Sequence, residues 1–308
     1  MKYIRKSLDF YVEETSVVTL GKFDGLHRGH ELLIQEILRV SKEKEHVSVV
    51  FTFDIPPKSK VTDLSYKVLT TNEEKQHIFE NVGVDYLIEC PFTKDVMFME
   101  PKEFIAWVSS RLNMKYVVVG DDFRFGHNRQ GDYQTLISHE EEFGYKTIVV
   151  NKIQEDGRDI SSTYIREEIA KGNIAKANQL LGYEYLIKSS IIHGNQIGRT
   201  IGIPTINMQI SEDKLLPPNG VYVSRVTIAD KEYLGVTNVG SKPTVSDTGQ
   251  IGVETHIIDF SEDVYDMLIA VSFLKFIRPE MKFNSIEELQ KQMQNDIAYA
   301  RRCYENVT

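Results

Sequence analysis

Through the first half of the chain, short apolar runs alternate with stretches whose apolar positions recur at helical spacing. Val17 to Leu20 is one run, HELLIQEILRV (30–40) follows with helical spacing, and VSVVFTF (47–53) is the next run. The alternation recurs: NEEKQHIFENVG (72–83) leads to VDYLIEC (84–90), PKEFIAWVSSRL (101–112) to YVVVG (116–120), and YQTLISHEEEFG (133–144) to YKTIVV (145–150). Strands separated by helices predict a mostly parallel sheet covered on both faces. SSTYIREEIAK (161–171) reads as a further helix, with serine near its start and Gly172 placed to end it.

After about residue 185 the period changes. YLIKSSII (185–192), the long stretch 220–240, VETHIIDF (253–260) and MLIAVSFLKFI (267–277) are strand-like and have no helices between them. That pattern predicts an antiparallel barrel or sandwich. At the end, Ser285 and Glu288 fit a capping box, and Ile286, Leu289, Met293, Ile297 and Ala300 form a helical apolar stripe. The fold class is therefore α/β followed by β, with a domain over 1–184, a second over 185–308, and a terminal helix packed on the second.

Composition narrows the function classes. The chain has 308 residues and a formal charge of −9, with acid in excess in both halves, so it lacks the basic footprint of a nucleic-acid or membrane-surface binder. Cys90 and Cys303 lie far apart, which argues against a disulfide framework or a structural zinc site. No apolar stretch reaches membrane-spanning length, and the amino terminus lacks an apolar signal core, so a soluble cytoplasmic protein is expected.

The candidate chemistry starts at GKFDGLHRGH (21–30), where a strand turns into a helix. Glycines at such a turn leave backbone N–H groups that favour an anion, and His27 and His30 there can donate to phosphate oxygens. The alternative is a capped helix carrying two solvent-exposed histidines. No G-x-x-x-x-G-K-[ST] occurs, so a nucleotide is held without that lysine.

GKFDGLHRGH resembles the GxFDGxHxGH signature of the FMN adenylyltransferase module in bacterial bifunctional riboflavin kinase/FMN adenylyltransferases (FAD synthetases). GDDFRFGHNRQGD (120–132), ISSTYIR (160–166), GRTIGIPTIN (198–207) and VETHIIDF (253–260) follow in the family's order, so the resemblance spans nearly the whole chain. It implies a Rossmann-like HxGH nucleotidylyltransferase domain followed by a riboflavin kinase β-barrel. Riboflavin plus ATP would give FMN, and FMN plus a second ATP would give FAD and pyrophosphate, with Mg²⁺ as cofactor.

The resemblance implies roles residue by residue. His27 and His30 would stabilise the transition state, and Gly21, Phe23, Asp24 and Gly25 would form the nucleotide turn, Asp24 either orienting a histidine or capping the turn. Ser162, Thr163 and Arg166 would meet ATP phosphates, against the alternative of an ordinary helix cap and a surface arginine. Asp122 would lie at the nucleotide or a metal. Phe123, Phe125 and Arg124 would meet the flavin, although alternating aromatics are commonly core. In the second module Gly198, Arg199 and Gly202 would form a loop over ATP phosphates, and Thr205 and Asn207, on one strand face, would offer Mg²⁺ neutral oxygens. Glu254 would take the proton of the riboflavin 5′-hydroxyl, against the alternative of an edge-strand charge facing water. His256 shares its face and reads as structural. The chain departs from the family pattern at Ile206, at Tyr164 and in FDIPPKSK (53–60). The rival functions are a single-activity or regulatory descendant and a nucleotidylyltransferase for another acceptor; the oligomeric state is left open.

Overall fold

The computed structural model describes residues 1–54, 67–192, 198, 202–241, 251–265 and 267–305. Contacts divide the chain into two compact units, Met1–Ser162 and Thr163–Thr308. Residues 163–184 thus group with the second unit, whereas the change of hydrophobic period falls near 185. Helix spacing reports local structure and says nothing about which core a helix joins.

In the first unit the main strands are β1 (Lys2–Arg5), β2 (Ser16–Leu20), β3 (Val47–Asp54), β4 (Tyr86–Pro91), β5 (Met114–Gly120) and β8 (Lys146–Val150). The helices are α1 (Arg28–Lys44), α2 (Asn72–Val82), α3 (Lys94–Met97), α4 (Pro101–Arg111), α5 (Tyr133–Ser138) and α6 (Glu140–Phe143). Two short hairpins, β6 (Arg124–Phe125) with β7 (Gly131–Asp132) and β9 (Gln154–Glu155) with β10 (Arg158–Asp159), complete it. The six main strands form one parallel sheet in the order β1-β4-β3-β2-β5-β8. All five residues of β2 are buried, as the central strand of a sheet covered on both faces requires.

Two differences from the sequence pattern have identifiable causes. Strand β1 carries the half-polar KYIR, with no apolar run to announce it, and exists because its backbone pairs with Tyr86–Glu89. The stretch 133–144 breaks into α5 and α6 at His139, whose ring Nδ1 hydrogen-bonds Thr135 O at 2.9 Å and competes with the helix ladder. Elsewhere the end signals work: Thr71 and Glu74 form a reciprocal capping box on α2, and Gly83 ends that helix at φ +86°.

The second unit opens with α7 (Ser162–Ala170) and α8 (Ile174–Leu181). Strands β11 (Leu186–Ile192), β12 (Ile206–Met208), β13 (Gly220–Ile228), β14 (Lys231–Ser241), β15 (Ile251–Ile257) and β16 (Leu268–Arg278) follow, then α9 (Ile286–Glu305). The strands close into an antiparallel barrel, β11-β12-β15-β14-β13-β16, so of barrel and sandwich the structure is the barrel. Inside, Thr237 Oγ1 bonds Ser224 Oγ at 2.7 Å and Thr255 Oγ1 at 2.9 Å, so these fully buried hydroxyls satisfy one another.

The terminal helix lies on the outer barrel wall, with Ile297 and Ala300 packed on Val223 and Val236. Ser285 Oγ accepts from Glu288 N as the cap predicts, while the Glu288 carboxylate reaches back to Asn284 N instead of closing the box on Ser285. Ile286, the first residue of the predicted stripe, remains exposed.

Candidate active sites

The parallel sheet reverses its strand order between β2 and β5, and the GKFDGLHRGH turn follows β2 at that point. The turn is tightly wound: Phe23, Gly25 and Leu26 have φ of +48°, +83° and +40°. Backbone of this kind persists only when its surroundings hold it. Asp24 Oδ1 accepts the N–H of Leu69 at 2.8 Å and of Thr70 at 3.1 Å, Gly25 N–H donates to Thr70 Oγ1, and Ser162 Oγ donates to Asp24 O at 2.7 Å. The Asp24 carboxylate therefore builds the turn. Phe23 is fully buried beneath it. An added Cβ at Gly21 would meet the Phe23 ring at 3.1 Å.

His27 stands at the start of α1 with no side-chain cap bond, and it is buried. Its ring stacks on that of His30, with centroids 3.7 Å apart and planes 19° apart. The alternative of two solvent-exposed capping histidines does not hold. Burial pushes the His27 pKa down to about 4 and holds His30 well below the usual imidazole range, the second ring being further opposed by the first. Both Nδ1 atoms are buried without a hydrogen-bond partner. Unpaired buried polar atoms are uncommon, and two together at a strained turn mark a place built for a polar ligand. Gly29 makes room for the pair: a Cβ there would lie 3.2 Å from Cε1 and Nδ1 of His27.

The stretch after β5 supplies the neighbouring wall. Asp122, expected at the nucleotide or a metal, is exposed and ion-paired to Lys152, Nζ to Oδ2 3.2 Å. Phe125 is buried in the core against Phe104, and a Cβ at Gly131 would come within 2.8 Å of its ring, so this aromatic is structural. Phe123 stacks on Phe125 at 5.4 Å and is only half-buried, which makes it the ring of the pair able to meet a flavin. Arg124 is exposed and donates to Phe123 O at 3.0 Å. On α7, Thr163 is exposed and Arg166 half-buried, both in the second unit, whereas Ser162 ends the first. Tyr164 is buried.

In the barrel, register decides what meets what. Asn207 lies directly opposite Glu254, Glu254 opposite Asn238, Asn238 opposite Val221, and Val221 opposite Arg278. Residues opposite one another in antiparallel pairs share a face, and this row faces outward, toward α9. A cavity of about 250 Å³ lies there, its polar lining including Thr205, Asn238, Glu254 and His256, with Gly198 beside them. Val221, Met281, Phe283, Leu289 and Met293 supply apolar lining. Strand β15 has β12 and β14 on its two sides, so Glu254 is not on an edge and its alternative reading falls away. His256, read as structural, has its ring Nδ1 2.8 Å from Pro204 O, where it holds the residue before Thr205.

Gly198 O accepts Ile203 N–H at 2.8 Å, and a Cβ on Gly198 would fall 2.3 Å from Ile203 O, so this turn requires glycine. Gly202 has φ +73°. Arg199 and residues 55–60 of FDIPPKSK lie outside the described residues. Asn238, Lys152 and the pair Arg278–Asp296, joined at 2.8 Å in the cavity wall, were not singled out by sequence, because only strand register and helix docking bring them to the sites.

Among the described residues no three His, Cys, Asp or Glu side chains converge to hold a metal. Thr205 at the cavity and Asn207 opposite Glu254 form a neutral-oxygen set beside one carboxylate, which suits a hard cation whose remaining ligands are phosphate oxygens.

Comparison with known proteins matches both units. The FAD synthetase family model covers residues 10–164 and the riboflavin kinase model residues 181–304. The chain is 33% identical to the bifunctional riboflavin kinase/FMN adenylyltransferase of Listeria monocytogenes over 94% of this chain and 92% of that one. It is 35% identical to that of Escherichia coli K12 over 99% and 98%. A crystal structure described as a macrolide-efflux protein from Streptococcus pneumoniae superposes with a TM-score of 0.85 at 30% identity, covering 97% of this chain and 98% of that one. Efflux is said of that protein; among the described residues here no helix is long and apolar enough to cross a membrane. With both modules matched in order and relatives more than 30% identical over nearly the whole chain, this chain belongs to the bifunctional riboflavin kinase/FMN adenylyltransferase family.

Proposed function

We infer that the barrel unit phosphorylates riboflavin to FMN and that the parallel-sheet unit adenylylates FMN to FAD. The observation that carries this reading is the coincidence of the two matched models with two separate polar sites, one in each unit.

For adenylylation, an FMN phosphate oxygen attacks the α-phosphorus of ATP, the new P–O bond forms, and pyrophosphate leaves with the electron pair of the broken bond. No covalent enzyme intermediate is needed, so the site has to position and neutralise. The stacked imidazoles of His27 and His30, the first buried and the second half-buried, are held in fixed orientation and donate to oxygens of the transferring group. Arrival of a polyanion raises their proton affinity, so they gain charge when the transition state needs it. Ser162, already bonded to the turn through Asp24 O, meets the departing pyrophosphate, and Phe123 with Arg124 takes the flavin.

For phosphorylation, Glu254 accepts the proton of the riboflavin 5′-hydroxyl as its oxygen attacks the γ-phosphorus of ATP, and ADP leaves. The isoalloxazine packs on the apolar lining of the cavity, with Gly198 and Gly202 at the nucleotide phosphates. Thr205 and Asn207 would hold Mg²⁺, which when bound neutralises phosphate charge. The test is incubation of the purified chain with riboflavin, ATP and Mg²⁺, followed by separation of the flavins. FMN and then FAD are expected. FMN alone removes the adenylylation reading, and neither product removes both.

A further inference from the structure

Three strands of the sheet bring charged groups to one edge. The histidine turn follows β2, Asp122 follows β5, and Lys152 lies two residues beyond β8, with the strand order reversing between β2 and β5. Ligands of open α/β sheets enter at such a reversal, outside the carboxyl ends of the strands. Lys152 Nζ lies 3.2 Å from Asp122 Oδ2 and 3.0 Å from Asp159 Oδ2. β2, β5 and β8 are adjacent in the sheet, so the histidine turn, Asp122 and Lys152 follow three neighbouring strands at the same edge.

The charge balance of adenylyl transfer gives this placement its meaning. A phosphate monoester and a triphosphate must be brought together, yet His27 and His30 are kept neutral by burial. No Walker-type lysine exists, and Arg28 beside the turn is tied to Glu155 at 2.8 Å. An ammonium has three N–H donors, and Asp122 and Asp159 engage two of those on Lys152. Its side chain keeps 34% of its exposure, so the third donor has access to a ligand.

We propose that Lys152 is a phosphate-binding residue of the adenylyl-transfer site, with its third N–H donating to a phosphate oxygen of ATP or FMN and with Asp122 and Asp159 holding the ammonium in place. The inference rests on the adenylylation reading above. Asp159 acts here as a positioning residue, and Lys152 as a contact to substrate.

The test measures FAD formation from supplied FMN, varying ATP and FMN in turn, for the parental chain, K152R, K152M, K152Q and K152M/D159N. A charge-assisted hydrogen bond lost from such a contact lowers kcat/KM by about 10-fold to 100-fold, and this is expected in K152M and K152Q, with K152R within a few-fold of the parent. K152M/D159N restores the net charge of the cluster without restoring the ammonium, and it is expected to stay impaired. A rise in KM for ATP assigns the contact to the triphosphate, and a rise in KM for FMN assigns it to the flavin phosphate. Riboflavin phosphorylation by the same preparations reports folding. Parental kinetics in K152M and K152Q overturn the proposal, and so does recovery in K152M/D159N, which would mean that Lys152 only balances its two carboxylates. A parental chain that makes no FAD from FMN overturns the adenylylation reading itself.

Discussion

Replacing Gly29 with alanine separates the stability of the histidine helix from its chemistry. The new methyl would sit 3.2 Å from both Cε1 and Nδ1 of His27, about 0.3 to 0.8 Å inside a relaxed contact. The His27 ring, 7% exposed and stacked 3.7 Å from His30, has little room to retreat without disturbing that stack. A misplacement of about 1 Å in a reacting constellation costs about 100-fold in rate, so a shift of a few tenths corresponds to roughly 3-fold to 10-fold in kcat for adenylylation. Stability should move the other way or not at all. Gly29 is the second residue of α1 and has ordinary helical backbone, where alanine is favoured over glycine by up to about 1 kcal/mol. The assay is FAD formation from FMN and ATP, with riboflavin phosphorylation and the melting temperature measured on the same preparation. A slower adenylylation with an unchanged or raised melting temperature is expected. Full adenylylation activity in G29A would refute the argument that the fixed position of the His27 ring sets the rate.

Removing either imidazole outright, His27→Ala or His30→Ala, should cost about 100-fold to 1000-fold in FAD formation and leave FMN formation intact, read by separating the flavins. Glu254→Gln keeps size and hydrogen bonding but loses the base, so kcat for riboflavin phosphorylation should fall by about 100-fold or more while riboflavin affinity, measured by fluorescence titration, holds. The pH dependence of stability follows from burial of His27. Its pKa of about 4 in the folded chain lies below the ordinary value of 6.5, so the unfolded chain binds more protons between those limits. The neutral ring's contribution is complete above pH of about 6.5 and is lost as pH falls toward about 4, on the order of 3 kcal/mol in all. Melting temperatures from pH 7.5 to 4.5 should drop more steeply for the parent than for His27→Ala; parallel curves would contradict the buried neutral state.

Much of this protein was legible in the sequence, for reasons that are local. Apolar runs such as Val17–Leu20 and YVVVG mark strands because a parallel sheet buried on both faces tolerates little else. The cap at Ser285 and the stop at Gly172, with φ +77°, mark helix ends through one hydrogen bond and one positive φ. The GKFDGLHRGH turn announces itself because its residues are contiguous and each serves the turn or the ligand. Other features depended on residues distant in sequence. β1 exists only through its pairing with β4, and α7 and α8 show helical spacing without showing which core they join.

The same division runs through the sites. The types and spacing of His27 and His30 are set by the chain, but their burial, their stacking and the orphaned Nδ1 atoms come from the fold around them. Phe123 and Phe125 are one residue apart and chemically equal, yet packing against Phe104 commits Phe125 to the core. Glu254 was visible as a carboxylate in an apolar strand. Barrel closure removed the edge that would have made it surface, and antiparallel register set Asn207 and Asn238 beside it. The sequence placed Asp122 after a strand but does not show that Lys152, thirty residues on and just past the neighbouring strand β8, lies within 3.2 Å of it. Sequence alone determined the elements and the chemical types, since both act over a few residues. Which groups are buried, paired or aimed at a common point was decided by the tertiary structure, because hydrogen bonds, desolvation and charge act across distances in space that the order of residues does not encode.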